Sequence, residues 1–165
     1  MKTLFVALRA IFYAACFVLF WGWLARGARR YDERLALAAA AWWEPVGVAL
    51  MVPGALIVFA CVGTFVAFGH GTPAPFDPPT AFVPSGPYRY VRNPMYIGAA
   101  LFLAGYGLFE GSPATVLLSL IFLITFHLFV LFVEEPALER RFGETYVAYK
   151  RSVHRWIPRL PPRSA

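Results

Sequence analysis

Charged side chains are scarce in this chain. Only 15% of its 165 residues are Asp, Glu, Lys or Arg, where soluble domains carry roughly 25%. With 59% hydrophobic residues and a mean hydropathy of +0.60, that shortage excludes an ordinary soluble domain and points to a membrane protein. Cysteine is scarcer still. Cys16 and Cys61, the only two, fall inside apolar runs, so there is neither metal-type spacing nor a disulfide framework. The pattern Gly105-Tyr106-Gly107 has no strand before it and reads as helix packing, not a nucleotide loop. No known nucleic-acid motif accompanies the excess of 15 Lys+Arg over 9 Asp+Glu. The charges collect at the ends of apolar runs, so the net +6 reads as basic flanks beside anionic lipid.

What is present is a series of apolar runs that predicts an all-α integral membrane bundle. It comprises about four transmembrane helices and a C-terminal amphipathic helix at the cytoplasmic face, in one domain over 1–165. The first run, about Thr3 to Ala25, is followed by Arg26 rather than a small-residue cleavage site, and predicts a retained helix. Gly27 to Arg34 reads as a short charged connection. The second run, about Trp43 to Gly69, contains Pro53-Gly54, which predicts a kink. Prolines 73, 75, 78, 79, 84 and 87 then predict an extended loop over 70–93, of the kind that often binds ligands. A third run from Pro94 and a fourth to Val133, joined at Gly111-Ser112-Pro113, predict an antiparallel hairpin over 94–133. Small residues at Gly98, Ala100, Ala104, Gly105 and Gly107 suit the third helix to close packing. From Glu134 the pattern becomes a charged helix with Phe142, Tyr146 and Tyr149 on one stripe, which Gly143 can break, and then an irregular tail.

Four spans put both termini, the Arg92 segment and Glu134 on one side. Seven Lys/Arg between Arg140 and Arg163 predict that this side is cytoplasmic, as in a bacterial inner membrane. Arg26, Arg29, Arg30 and Arg34 fall on the other side and conflict with that rule. Ionisable groups at membrane depth are costly and mark functional sites. Here Arg89 and Arg92 offer forked donors for a carboxylate or phosphate. Asn93 adjoins the free N–H groups of a helix start, and Glu134 and Glu135 offer acceptors for an ammonium, an amide or a ribose hydroxyl. Tyr90, Tyr96, Phe142 and Tyr146 can stack on a flat heterocycle or a cation. A zwitterion carrying adenine and ribose satisfies all of these groups. Each also has a plainer reading: arginines that snorkel to headgroups, glutamates that cap a helix, tyrosines that anchor at the interface. His127, seven residues before Glu134, reads as a buried structural histidine.

The run Gly86-Pro87-Tyr88-Arg89-Tyr90-Val91-Arg92-Asn93-Pro94-Met95-Tyr96-Ile97-Gly98 is followed by Glu134-Glu135-Pro136, Phe142-Gly143-Glu144-Thr145-Tyr146 and Ile157-Pro158. Together these resemble the isoprenylcysteine carboxyl methyltransferase and phospholipid methyltransferase superfamily. The likeness covers roughly Gly71 to Arg159. It implies a membrane methyltransferase using S-adenosylmethionine near the cytoplasmic face, with the cofactor region over 86–159. The family pattern Arg-His-Pro-x-Tyr falls on Arg92, Asn93, Pro94, Met95 and Tyr96, so Asn93 stands where His is usual and cannot titrate. Carried over, the cofactor-binding residues are Tyr90, Arg92, Asn93, Pro94, Tyr96, Gly98, Glu134, Glu135, Phe142 and Tyr146.

Methyl transfer to a carboxylate needs alignment and exclusion of water more than acid–base chemistry. Arg141 or Arg151 is the candidate to hold such an acceptor, and Glu135 is the candidate to orient an amine or take its proton. Partners are therefore the lipid bilayer and a lipophilic or lipidated acceptor. The alternative reading is an NADPH-dependent sterol-type membrane reductase, which shares an Arg-x-Pro-x-Tyr element. A helical module without activity is a third.

Overall fold

The computed structural model describes residues 2–35, 40, 42–69 and 82–159. Among them it is mostly helical, without strands. Helix α1 spans Lys2–Ala28. A 3-10 turn at Arg29–Tyr31 and the short α2, Asp32–Leu35, follow it, so the charged connection is itself helical. Helix α3 spans Trp43–Thr64, passes through Pro53 unbroken, and widens into a π turn at Phe65–Gly69. Helix α4, Pro94–Phe109, begins with its proline in the first turn, where the missing N–H costs nothing. Helix α5, Pro113–Phe129, is capped by the Ser112 side chain.

Helical runs over Ile11–Leu35, Trp43–Phe68 and Pro113–Phe142 are long and apolar enough to cross a membrane, and Pro94–Phe109 is a shorter apolar helix. At 1.5 Å per residue its 16 residues reach about 24 Å, short of a hydrocarbon core of about 30 Å. The chain is a membrane helical bundle.

The charged helix expected to begin anew at Glu134 is instead a continuation of the fourth span. A π turn over Val130–Glu134 carries α5 straight into α6, Glu135–Phe142. Pro136 gives the physical reason. It has no N–H to offer, and its ring crowds the carbonyl four residues back. Widening the turn relieves this, and the Glu135 N–H bonds the Val130 carbonyl, five residues earlier. The expected break at Gly143 is present: at φ +52° it holds a conformation that side chains disfavour, and α7, Glu144–Ser152, leaves in a new direction. The Pro-rich loop is described only from Phe82, and Pro73, Pro75, Pro78 and Pro79 lie outside the described residues. Its described end contains one 3-10 turn, Gly86–Arg89. Gly86, at φ +58°, sits where a Cβ would lie 2.5 Å from Thr64 Oγ1 of α3.

Two interfaces hold the bundle. Between α3 and α4, glycines meet in antiparallel register. A Cβ at Gly47 would lie 2.6 Å from the Gly105 carbonyl oxygen, and one at Gly54 would lie 2.7 Å from that of Gly98. Backbones this close gain dispersion that lipid cannot replace. Between α1, α4 and α5 the core is aromatic: Trp21 packs edge-on against Phe122 at 4.7 Å, Phe122 lies 4.5 Å from Phe126, and Phe126 stacks on Tyr96 at 4.5 Å.

The segment Arg26–Arg34 lies at the α4–α5 turn, at the end opposite α6. Arg29 pairs with Glu110 at 2.5 Å. Asp32 accepts from Ser112 Oγ and from the Ala114 N–H, each at 2.9 Å, helping to satisfy the open amides of α5. Arg30 and Arg34 lie over the Tyr31 ring.

Candidate functional site

At the other end, the start of α4, the π turn, α6 and α7 close around a cavity of about 280 Å³. This is near the lower end for small-molecule sites, roughly 300–1,000 Å³. Its polar wall contains Arg92, Asn93, Glu134, Glu135 and Arg141, and its apolar wall includes Phe65, Phe82, Tyr88, Phe129, Phe142 and Tyr146.

The twin glutamates have different surroundings. Glu135 is only 4% exposed and meets three cations. Arg155 takes both of its oxygens, at 2.8 and 2.9 Å, in the fork that suits guanidinium to carboxylate. Arg92 Nη2 lies 3.3 Å from Oε1, and Lys150 Nζ lies 3.4 Å from Oε2 and also pairs with Glu139. The hydrogen bond to Glu135 raises the Arg155 pKa further. Glu134, by contrast, accepts the Tyr96 hydroxyl at 3.0 Å, and among the described residues no cation pairs with it. Its carboxylate borders the cavity and remains available.

Arg92 is the complementary feature. Its side chain is 9% exposed, and its Nε and Nη1 are buried without a hydrogen-bond partner. Buried guanidinium donors are expensive to leave unpaired. An Arg in a cavity wall with open donors therefore suits an anionic ligand group.

The remaining wall is aromatic. Phe82 sits 5.5 Å from Phe142, 5.7 Å from Tyr146 and 5.0 Å from Tyr149. Tyr149 donates to the Tyr88 carbonyl at 2.6 Å. Burial pushes the phenols of Tyr88, Tyr146 and Tyr149 above their ordinary range, so all three remain neutral donors.

Of the residues singled out in the sequence, Arg92, Asn93, Glu134, Glu135, Arg141, Phe142 and Tyr146 line this one cavity. Tyr96 stands behind Glu134. Pro94 is buried at the start of α4, and Gly98 packs on α3. Tyr90 and Arg89 are exposed, and so is Arg151, away from the lining. Sequence reasoning missed Arg155, Lys150, Tyr88 and Phe82. It also read the tail as merely irregular. Residues 153–159 are a strap: the Arg92 N–H bonds the His154 carbonyl at 2.9 Å, and the Arg159 N–H bonds the Tyr90 carbonyl at 2.8 Å. Asn93 Nδ2 donates to the Arg155 carbonyl at 3.1 Å. No local pattern announces such contacts, because Arg155 lies 20 residues from Glu135 and 62 from Asn93.

Known proteins resemble this sequence. The model of the phospholipid methyltransferase family matches residues 43–145. The protein-S-isoprenylcysteine O-methyltransferase of Schizosaccharomyces pombe is 27% identical, over 62% of this chain and 48% of that protein. An uncharacterized protein of Haemophilus influenzae is 35% identical, over 38% of this chain and all of its own length. The match thus spans about half the length of the yeast relative. No solved structure gives a significant match. With well over half of its residues inside the family model, and every charged residue of the cavity wall within that same stretch, the chain belongs to the phospholipid methyltransferase family.

Proposed function

We propose that the chain is an S-adenosylmethionine-dependent methyltransferase acting on a lipophilic acceptor, an isoprenylcysteine-like carboxylate or a lipid headgroup. One observation carries this reading. A single cavity is lined by Arg92, two of whose buried donors have no hydrogen-bond partner, and by Glu134, which pairs with no cation among the described residues. That is the complement of an amino-acid zwitterion, and the aromatic wall of Phe142 and Tyr146 suits a nucleoside.

When bound, the cofactor supplies an electrophilic methyl on a sulfonium. The protein's part is to bind and align. Arg92 would hold the carboxylate, and Glu134, braced by Tyr96, would take the ammonium or a ribose hydroxyl. Phe65, Phe129 and Val133 make the apolar wall where the acceptor's hydrocarbon would lie, keeping water from the reacting groups. Arg141, in the lining, is placed to orient an anionic acceptor. Glu135, with both oxygens engaged by cations, serves first to set the positions of Arg92 and Arg155.

The cavity would face the cytoplasm. Seven Lys/Arg in 140–163 lie beyond the fourth span, against four, Arg26, Arg29, Arg30 and Arg34, at the opposite end.

Calorimetric titration of the detergent-solubilised chain with S-adenosylhomocysteine tests the assignment, with NADPH as the competing ligand. Binding of the nucleoside product is expected. Binding of NADPH alone would favour the reductase, and heat with neither ligand would favour a module without activity. Lipid extracts from cells with and without the chain, compared by mass spectrometry, would reveal the acceptor as a lost methyl increment.

A further inference from the structure

Asn93 is 6% exposed, it lines the cavity, and its amide nitrogen donates to the Arg155 carbonyl at 3.1 Å. The acceptor is a carbonyl, so the group facing it must be an N–H donor. The neighbouring Arg92 N–H bonds the His154 carbonyl. Two consecutive residues at the start of α4 thus clamp two consecutive residues of the strap. The clamp fixes where the Arg155 side chain begins, and Arg155 then spans both Glu135 oxygens at 2.8 and 2.9 Å. Arg92 is left the poorer contact, 3.3 Å through Nη2 alone, with Nε and Nη1 unpaired.

We propose that Asn93 is a positioning residue. By docking the strap it makes Arg155, not Arg92, the forked partner of Glu135, and so reserves the remaining Arg92 donors for a carboxylate ligand. Without Arg155, Glu135 would lose its forked partner and keep only the 3.3 Å contact from Arg92 and the 3.4 Å contact from Lys150. The short path to satisfaction would be for Arg92 to turn onto it and abandon the cavity. The required property of residue 93 is a side-chain N–H donor, which Asn and His share. The inference rests on the cofactor reading above only for the identity of the carboxylate.

Two ligands separate this from a general loss of structure. S-Adenosylhomocysteine carries the amino-acid carboxylate, and methylthioadenosine keeps the nucleoside and sulfur but lacks it. Asn93→Ala and Arg155→Ala are expected to weaken S-adenosylhomocysteine roughly tenfold or more, the loss of a charge-assisted pair, and methylthioadenosine by no more than about twofold. Asn93→His, which keeps a side-chain N–H donor, is expected to recover most of the S-adenosylhomocysteine affinity that Asn93→Ala loses. Arg155→Lys, which keeps the charge but loses the fork, is expected to fall between, on the carboxylate ligand alone. If either alanine variant fails to fold, this second pair gives the answer. Equal losses for both ligands, or none for either, would overturn the positioning role while leaving the cofactor reading intact. A wild-type chain that binds neither ligand would overturn that reading, and this proposal with it.

Discussion

The Tyr96 hydroxyl donates to Glu134 Oε2 at 3.0 Å, tying the first turn of α4 to the π turn at the end of α5. The Tyr96 ring is independently fixed by stacking on Phe126, centroid to centroid 4.5 Å at 24°. The aromatic core therefore holds the donor, and the donor holds the carboxylate. Tyr96→Phe keeps the stack and removes only the hydroxyl. Glu134 borders a cavity and can be rehydrated, so the stability loss should be small, about 1 kcal/mol. The effect on S-adenosylhomocysteine affinity should be larger, several-fold, because Glu134 loses its fixed orientation. Thermal unfolding in detergent and titration on the same sample check both parts.

The two glutamates should respond oppositely to the same change. Glu135→Gln removes the only acidic group shared by Arg92, Arg155 and Lys150 and leaves buried positive charge unbalanced. Breaking such a pair from one side costs on the order of 3–5 kcal/mol, so this variant should unfold early. Glu134→Gln disturbs no ion pair among the described residues and should keep its melting temperature within a few degrees while losing ligand affinity. Equal thermal stability of the two variants would contradict the division.

The difference between these neighbours also marks what the sequence could convey. Pro94, Gly111-Ser112-Pro113 and Gly143 are punctuation, and each forces a start, a turn or a break where it stands. Ionisable residues at the rims of apolar runs likewise flag Arg92 and the glutamates as one polar cluster. The π turn leaves no comparable trace, since a five-residue hydrogen-bond step alters no side-chain pattern. His127 and Glu134, seven residues apart, have separate partners, Trp156 and Tyr96, with the widened turn between them. Arg155 was hidden for another reason. Its pairing depends on α7 folding back after Gly143, and no window of local sequence contains both partners.

Helix contact through glycine gives a prediction independent of the site. A methyl at Gly54 would lie 2.7 Å from both the Gly98 carbonyl oxygen and the Phe102 nitrogen, backbone atoms that cannot swing aside. Gly54→Ala should therefore push α3 from α4 and destabilise by about 1–3 kcal/mol, the usual range for overpacking. Gly63 is on the same helix, with nothing within 4 Å of the position a Cβ would take. Gly63→Ala should be neutral or slightly stabilising through helix propensity. Melting temperatures of the pair in one detergent decide this.

The strap has a second anchor, on α5. Trp156 donates its indole N–H to His127 Nδ1 at 3.0 Å. The indole can only donate, so Nδ1 must be unprotonated and the imidazole proton must sit on Nε2. His127→Phe retains a ring beside Trp156 but removes the acceptor, at a cost of about 1 kcal/mol. The loss should not spread evenly along the strap. The Arg92 amide bonds the His154 carbonyl, next to Arg155, which Glu135 and Asn93 still hold. The Arg159 amide bonds the Tyr90 carbonyl on the far side of Trp156, with no such support. Hydrogen exchange should therefore speed up several-fold at Arg159 and change little at Arg92, since local opening follows the anchor removed. Faster exchange at both amides alike would mean that the strap opens as one unit and that Trp156 governs it more than Arg155 does.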